Sequence, residues 1–112
     1  MRRGLYEGAN VDDHPLYVYN TDMTEAWDPF KAAANERKHG VRFGDAASVL
    51  YDPLAVKLAE YDHGGEERLV VLGADNFGRL LVVVYTHRED VRRIISARRA
   101  TRRERQHYEE GI

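Results

Sequence analysis

Arg79-Leu-Leu-Val-Val-Val-Tyr-Thr-His87 is apolar on both faces of an extended chain, and the turn formers Asp75-Asn-Phe-Gly78 precede it. A β-branched run of this kind, bounded by turns, reads as a central strand. Upstream, residues 67–74 (Glu-Arg-Leu-Val-Val-Leu-Gly-Ala) read as a neighbouring strand, and residues 55–61 alternate apolar with polar side chains. Asp62-His-Gly-Gly65 separates those two segments as a turn. Downstream, Arg88-Glu-Asp90 turns the chain into residues 91–98 (Val-Arg-Arg-Ile-Ile-Ser-Ala-Arg). The pattern predicts four strands in an antiparallel meander.

Helices flank the meander. Asp28-Pro29 is a helix start, with an Asp cap and a proline at the first helical position. Arg37-Lys-His-Gly40 is the matching stop, cations at the negative end of the dipole and then a glycine. Within that helix Phe30, Ala33, Ala34 and Arg37 share one face, and Lys31, Asn35 and Lys38 another. A second helix is expected over 44–51, burying Ala47 and Leu50 and ending before Asp52-Pro53. Thr101-Arg-Arg-Glu104 is a capping box that opens a last, basic helix, closed at Glu109-Glu-Gly111. Helix, helix, four strands, helix implies an α+β fold with the helices against one face of the sheet and Trp27 as a core anchor. Residues 1–22 lack sustained periodicity and read as an extension, with a short edge strand at 16–19 and disorder elsewhere. The patterned domain is expected over 23–112, and Met23 is a plausible translation start.

The 112 residues are the size of one domain, and 17 Lys+Arg against 19 Asp+Glu give a formal net charge of -2. That total hides a split between a net -6 over residues 1–67 and a net +4 over 68–112. The absence of cysteine excludes disulfides, thiol nucleophiles and cysteine-ligated metals. No bilayer-spanning run or signal peptide is evident, so a cytoplasmic location is expected. Histidines 14, 39, 63, 87 and 107 include no pair at metal-ligand spacing, and neither a metal nor a cofactor is expected. Neither Ser48 nor Ser96 lies in a G-x-S-x-G turn, and Gly73-Ala-Asp-Asn-Phe-Gly78 lacks the Lys-Ser/Thr of a P-loop.

Between Arg79 and Arg105 nine arginines face three acids, a local net of +6. Arginine's planar fork of donors suits phosphate. Strict alternation sets Arg92, Ile94, Ser96 and Arg98 on one face of the last strand and Val91, Arg93, Ile95, Ala97 and Arg99 on the other, so one set of arginines should project from the open face. His87, Tyr85, His107 and Tyr108 lie among them as groups that can move protons. Phosphate clamps beside proton-transfer groups are what metal-independent RNA cleavage requires. Each feature also has a structural reading: a solvated basic helix with an Arg105–Glu109 pair, dipole partners at Lys38 and His39, a turn cap at His87, and a core Tyr85.

Ala26-Trp-Asp-Pro-Phe-Lys-Ala-Ala-Ala-Asn-Glu-Arg-Lys-His-Gly-Val-Arg-Phe43, Asp52-Pro53, Gly65-Glu-Glu-Arg68, Gly78-Arg79, Val84-Tyr-Thr-His-Arg88, Arg93-Ile-Ile-Ser-Ala-Arg-Arg-Ala-Thr-Arg-Arg-Glu104 and Tyr108-Glu-Glu110 together resemble the BrnT toxin family. The resemblance implies a RelE-like α+β fold: two N-terminal helices, an antiparallel four- to five-stranded sheet and a C-terminal helix, the Trp27 segment being the additional strand. It also implies an endoribonuclease toxin of a type II toxin-antitoxin system that inhibits translation and growth. Its partners would be RNA, free or on the ribosome, and a BrnA ribbon-helix-helix antitoxin in a heterotetramer that binds promoter DNA. From arginine density and motif position, Arg68, Arg79 and Arg98 are expected to hold phosphates, with Lys38, Arg99 and Arg102 as further contacts. His87 or His39 is expected to transfer protons, with Tyr108 as an alternative. The competing reading is a non-catalytic or degenerate toxin that serves as a co-repressor.

Overall fold

The computed structural model describes residues 18–19 and 25–111. In chain order the elements are β1 (Val18–Tyr19), β2 (Glu25–Trp27), α1 (Pro29–His39), α2 (Phe43–Ala47) running into a 3-10 turn (Ser48–Tyr51), β3 (Val56–His63), β4 (Glu66–Ala74), β5 (Leu80–Arg88), β6 (Val91–Arg99) and α3 (Arg102–Glu110). The strands form one sheet in the order β1-β2-β6-β5-β4-β3. The meander is present as expected, closed at one hairpin by Gly64 and Gly65, both at positive φ (61° and 86°). That backbone is the one a two-residue hairpin loop demands, and glycine adopts it without steric cost. Of the N-terminal extension, Val18–Tyr19 is the two-residue edge strand β1; the expected disorder lies outside the described residues.

Two expectations about the sheet are corrected. It is not wholly antiparallel, because β2 pairs parallel to β6, with Glu25 opposite Arg92 and Ala26 opposite Arg93. Three residues are too few to show a period, and the strand's direction is set by where the chain must enter α1. Nor do the helices keep to one face. Val41, Phe43, Ala46, Ala47 and Val49 pack with Val71, Leu81, Val83, Ile94 and Ala97 on one side, while Tyr108 of α3 packs with Leu72, Val82 and Ala100 on the other. The double-sided apolar run in β5 needs cover on both faces. In β5, Leu81, Val82 and Val83 are buried in succession.

Alternation along β6 fails at one point. Val84 pairs with Ser96 but Tyr85 pairs with Ile94, so Ile95 is the extra residue of a β-bulge. Ile94 and Ala97 therefore share the α1 side. By register Arg92 and Arg99 go with them, and Arg93, Ser96 and Arg98 take the other face, which exchanges Arg92 and Arg93 relative to strict alternation.

The caps of α1 form as expected. Asp28 Oδ1 accepts from Phe30 N–H at 2.8 Å, and Gly40 (φ 71°) closes the helix with its N–H on Glu36 O. The buried face differs. Phe30, Ala33, Ala34 and Arg37 are exposed, whereas Asn35 is buried. Beyond Arg93 no strand flanks this edge of β6 among the described residues, and Asn35 takes its place. Its Nδ2 donates to Ala97 O (2.8 Å) and Val41 O (3.1 Å), and Ala97 N–H donates to Asn35 Oδ1 (3.1 Å). The requirement of buried backbone groups for partners outweighs the apolar stripe in fixing the helix's rotation. The helix expected over 44–51 is α-helical only to Ala47 and then tightens. Val49 approaches β4 closely there, and a Cβ at Gly73 would meet it at 3.0 Å. Trp27 stacks edge-on against Phe43 (6.4 Å, 83°), as a core anchor should.

Candidate functional site

α3 is fastened over one half of its face of the sheet. Its capping box is complete, Glu104 N–H donating to the Thr101 hydroxyl and Thr101 N–H to Glu104 Oε1. Arg98 grips both Glu104 oxygens at 2.8 Å, which pushes the carboxyl down to about 2 and raises the guanidinium. At the other end Tyr108 Oη donates to Asp52 Oδ2 at 2.6 Å, a bond that with burial pushes the phenol up to about 12. Burial alone would raise Asp52, but bonds from Ala74 N–H, the Tyr108 hydroxyl and Leu54 N–H outweigh it and lower the carboxyl.

The other half of that face holds charge. Tyr61, Arg68, Thr86 and Arg93 stand in register across β3, β4, β5 and β6, so their side chains line one row. One row further, His63 pairs with Glu66 and Arg88 with Val91. Glu66 is the centre of this group. Both of its oxygens lie 3.1 Å from Arg93 Nη2, with Arg68 Nη2 at 3.5 Å and Arg88 Nη2 at 3.6 Å. Arg68 is mostly buried, and its Nε has no hydrogen-bond partner. Three guanidinium groups converge on one carboxylate beside an unsatisfied Arg68 donor, a combination suited to an added anion.

The residues singled out in the sequence do not all meet here. Arg68 does. Arg98 and Tyr108 share the same face but hold α3. Arg79 lies at the start of β5, the far end from the cluster, where its Nε donates to Asp75 Oδ2 (2.9 Å), its Nη2 lies 3.4 Å from Asp45, and its plane covers the Phe77 ring. His87 sits on the opposite face of the sheet, exposed and paired in register with Arg92. Arg92 stacks on Tyr51 (4.9 Å) and pairs with the buried Glu25, to which Tyr51 also donates. Lys38 is exposed and His39 half-buried in the last turn of α1; Arg99 ends β6 and Arg102 opens α3, both exposed. Sequence reasoning passed over Glu66, Arg88 and Arg93. All three lie in the segments Gly65-Glu-Glu-Arg68, Val84-Tyr-Thr-His-Arg88 and Arg93-Ile-Ile-Ser96, and the register of three strands was the missing signal.

Fold and site together define a small mixed α+β domain, helices on both faces of its sheet, with an arginine cluster on the half of one face that α3 leaves clear. Residues 27–104 match the family model described as "Ribonuclease toxin, BrnT, of type II toxin-antitoxin system". The chain belongs to this BrnT family of ribonuclease toxins. The fold is similar to the 1.1 Å crystal structure of the Brucella abortus ribonuclease toxin BrnT, with a TM-score of 0.51 and 25% sequence identity over 68% of this chain and 94% of that one. No curated protein sequence matches the chain. No helix among the described residues is long and apolar enough to cross a membrane.

Proposed function

We propose that this chain is a RelE-like, metal-independent endoribonuclease that cleaves mRNA, inhibits translation and growth, and is neutralised by a BrnA-like ribbon-helix-helix antitoxin in a heterotetramer. The observation that carries the reading is the arginine cluster at Glu66 in a member of a ribonuclease toxin family. Strand scission through the 2'-hydroxyl builds negative charge on the phosphorane oxygens, and fixed guanidinium groups stabilise that charge. We assign the scissile phosphate to Arg68 with Arg88 and Arg93, and a flanking phosphate to Arg102; Lys38 and Arg99 lie on the α1 side of the sheet and are not assigned to this site. His87, on the opposite face of the sheet, and His39, on α1, lie away from this phosphate, and we do not assign them its proton transfer.

Arg79, Arg98 and Tyr108 we assign to the scaffold, since each is bound to a carboxylate within the fold. Replacing Arg79 or Arg98 by Ala should therefore lower the melting temperature, and any loss of toxicity would follow from that.

The test is RNA cleavage by the purified chain in EDTA, alongside growth on induction with and without the antitoxin. Expected are cleavage and a growth arrest that the antitoxin relieves. A chain that neither cleaves RNA nor arrests growth, yet still binds antitoxin and promoter, is the co-repressor of the competing reading.

A further inference from the structure

We infer that Glu66 is the general base and His63 the general acid of this site, an assignment that rests on the ribonuclease reading above. Gly64 and Gly65 close the β3–β4 hairpin in the left-handed region, which fixes His63 opposite Glu66 with both side chains on one face of the sheet. Arg68 follows two residues after Glu66 on the same face, its Nε unpaired. Among the described residues, Tyr61 and His63 from β3, Arg68 from β4, Arg88 from β5 and Arg93 from β6 are the titratable and charged groups that face the Glu66 carboxylate. Glu66 is bonded within this arginine group, at 3.1 Å to Arg93. His63 is exposed at the rim, on the β3 side, away from the arginines of β5 and β6.

An arriving phosphate competes for the guanidinium groups and releases the carboxylate for a second acceptor role. The 2'-oxygen then attacks phosphorus, and its proton passes to Glu66. As the new P–O2' bond forms, the P–O5' bond breaks, and the imidazolium of His63 gives its proton to O5'. The products are a 2',3'-cyclic phosphate and a 5'-hydroxyl end. No water or other co-reactant is consumed, and solvent returns the proton from Glu66 to His63 before the next turnover. The reaction needs one group to take the 2' proton and another to give a proton to O5'.

The experiment is single-turnover cleavage of an RNA oligonucleotide by the full chain, with Glu66→Gln, Glu66→Asp and His63→Gln compared across pH and binding measured on the 2'-deoxy analogue at the cleavage site. Expected are wild-type products ending in 2',3'-cyclic phosphate and a rate loss of ~100-fold to 10,000-fold for Glu66→Gln and for His63→Gln. Binding of the analogue should hold, and Glu66→Asp should recover part of the rate. Glu66→Gln should also flatten the acid limb of the pH–rate profile, and His63→Gln the alkaline limb. A wild-type chain that cleaves while Glu66→Gln or His63→Gln cleaves as fast, or slows with an unchanged profile, overturns the assignment and leaves the ribonuclease reading standing. A wild-type chain that cleaves no RNA overturns both. His63 is exposed at a hairpin end, so its variant tests the assignment even where Glu66→Gln disturbs the arginine cluster.

Discussion

Tyr108 and Glu104 hold the two ends of α3 by bonds that titrate in opposite directions. The Tyr108 phenol in the folded chain loses its proton at about 12, above the ordinary 10, so the stability it lends is complete below pH 10 and fades as pH rises through 12. The Glu104 carboxyl sits at about 2 against an ordinary 4.5, so its contribution is present above pH 4.5 and is lost as pH falls through 2. Urea unfolding midpoints followed against pH should show both limbs, with Tyr108→Phe removing the alkaline one and Glu104→Gln the acid one. Tyr108→Phe should cost about 1.5–3 kcal/mol at neutral pH, toward the lower end because Asp52 keeps two backbone donors. Single residues were legible wherever the chemistry is local: Asp28, Gly40, Thr101 and Glu104 act as caps as expected. Glu66 was not legible, because a carboxylate two residues before an arginine carries no signal until β5 and β6 bring two more arginines to it.

At the scale of elements, α1 shows where a sequence pattern and a fold part company. The helix and its ends follow from the sequence, but its rotation is set by the backbone of Ala97, which Asn35 satisfies. Asn35→Ala should therefore destabilise the chain by roughly 1–3 kcal/mol, the cost of leaving a buried backbone group unpaired. Phe30→Ser, on the exposed stripe, should change stability by no more than about 0.5 kcal/mol. Chemical denaturation of the two variants side by side checks this, and a larger loss for Phe30→Ser would mean that the stripe is covered. The bulge at Ile95 has the same lesson for β6. One inserted residue carries Arg93 to the face of Arg68 and leaves Arg92 on the other with Tyr51, a change that no period-two reading contains.

For the molecule as a whole, a net charge of -2 describes nothing that an RNA strand would meet. The acidic excess lies in residues 1–67, and the arginines of the candidate site are residues 68, 88 and 93. Binding to single-stranded RNA should weaken as salt rises, and removing a phosphate contact at Arg68 should lower the slope of log K against log salt by about 0.7. Arg79→Ala, at the far end of β5, should leave that slope unchanged. Filter binding across a salt series distinguishes the two. The four-strand meander and three helices were readable because their signals repeat over many residues; the direction of β2 and the side taken by α3 are set by packing at a distance.

That pairing of β2 with β6 also bears on how the chain folds and opens. Glu25 and Arg92 are 67 residues apart, so their union closes a loop holding two helices and three strands, whereas the β3–β4 and β5–β6 hairpins join neighbours. Such a closure adds entropy cost with little local reward, and it belongs to the last stage of assembly. It is equally the first to release: amide exchange at Ala26 should report an opening well below the global one, while Leu72 and Val83 exchange only when the whole sheet unfolds. The buried Glu25–Arg92 pair would then meet water intermittently in a molecule whose meander stays intact.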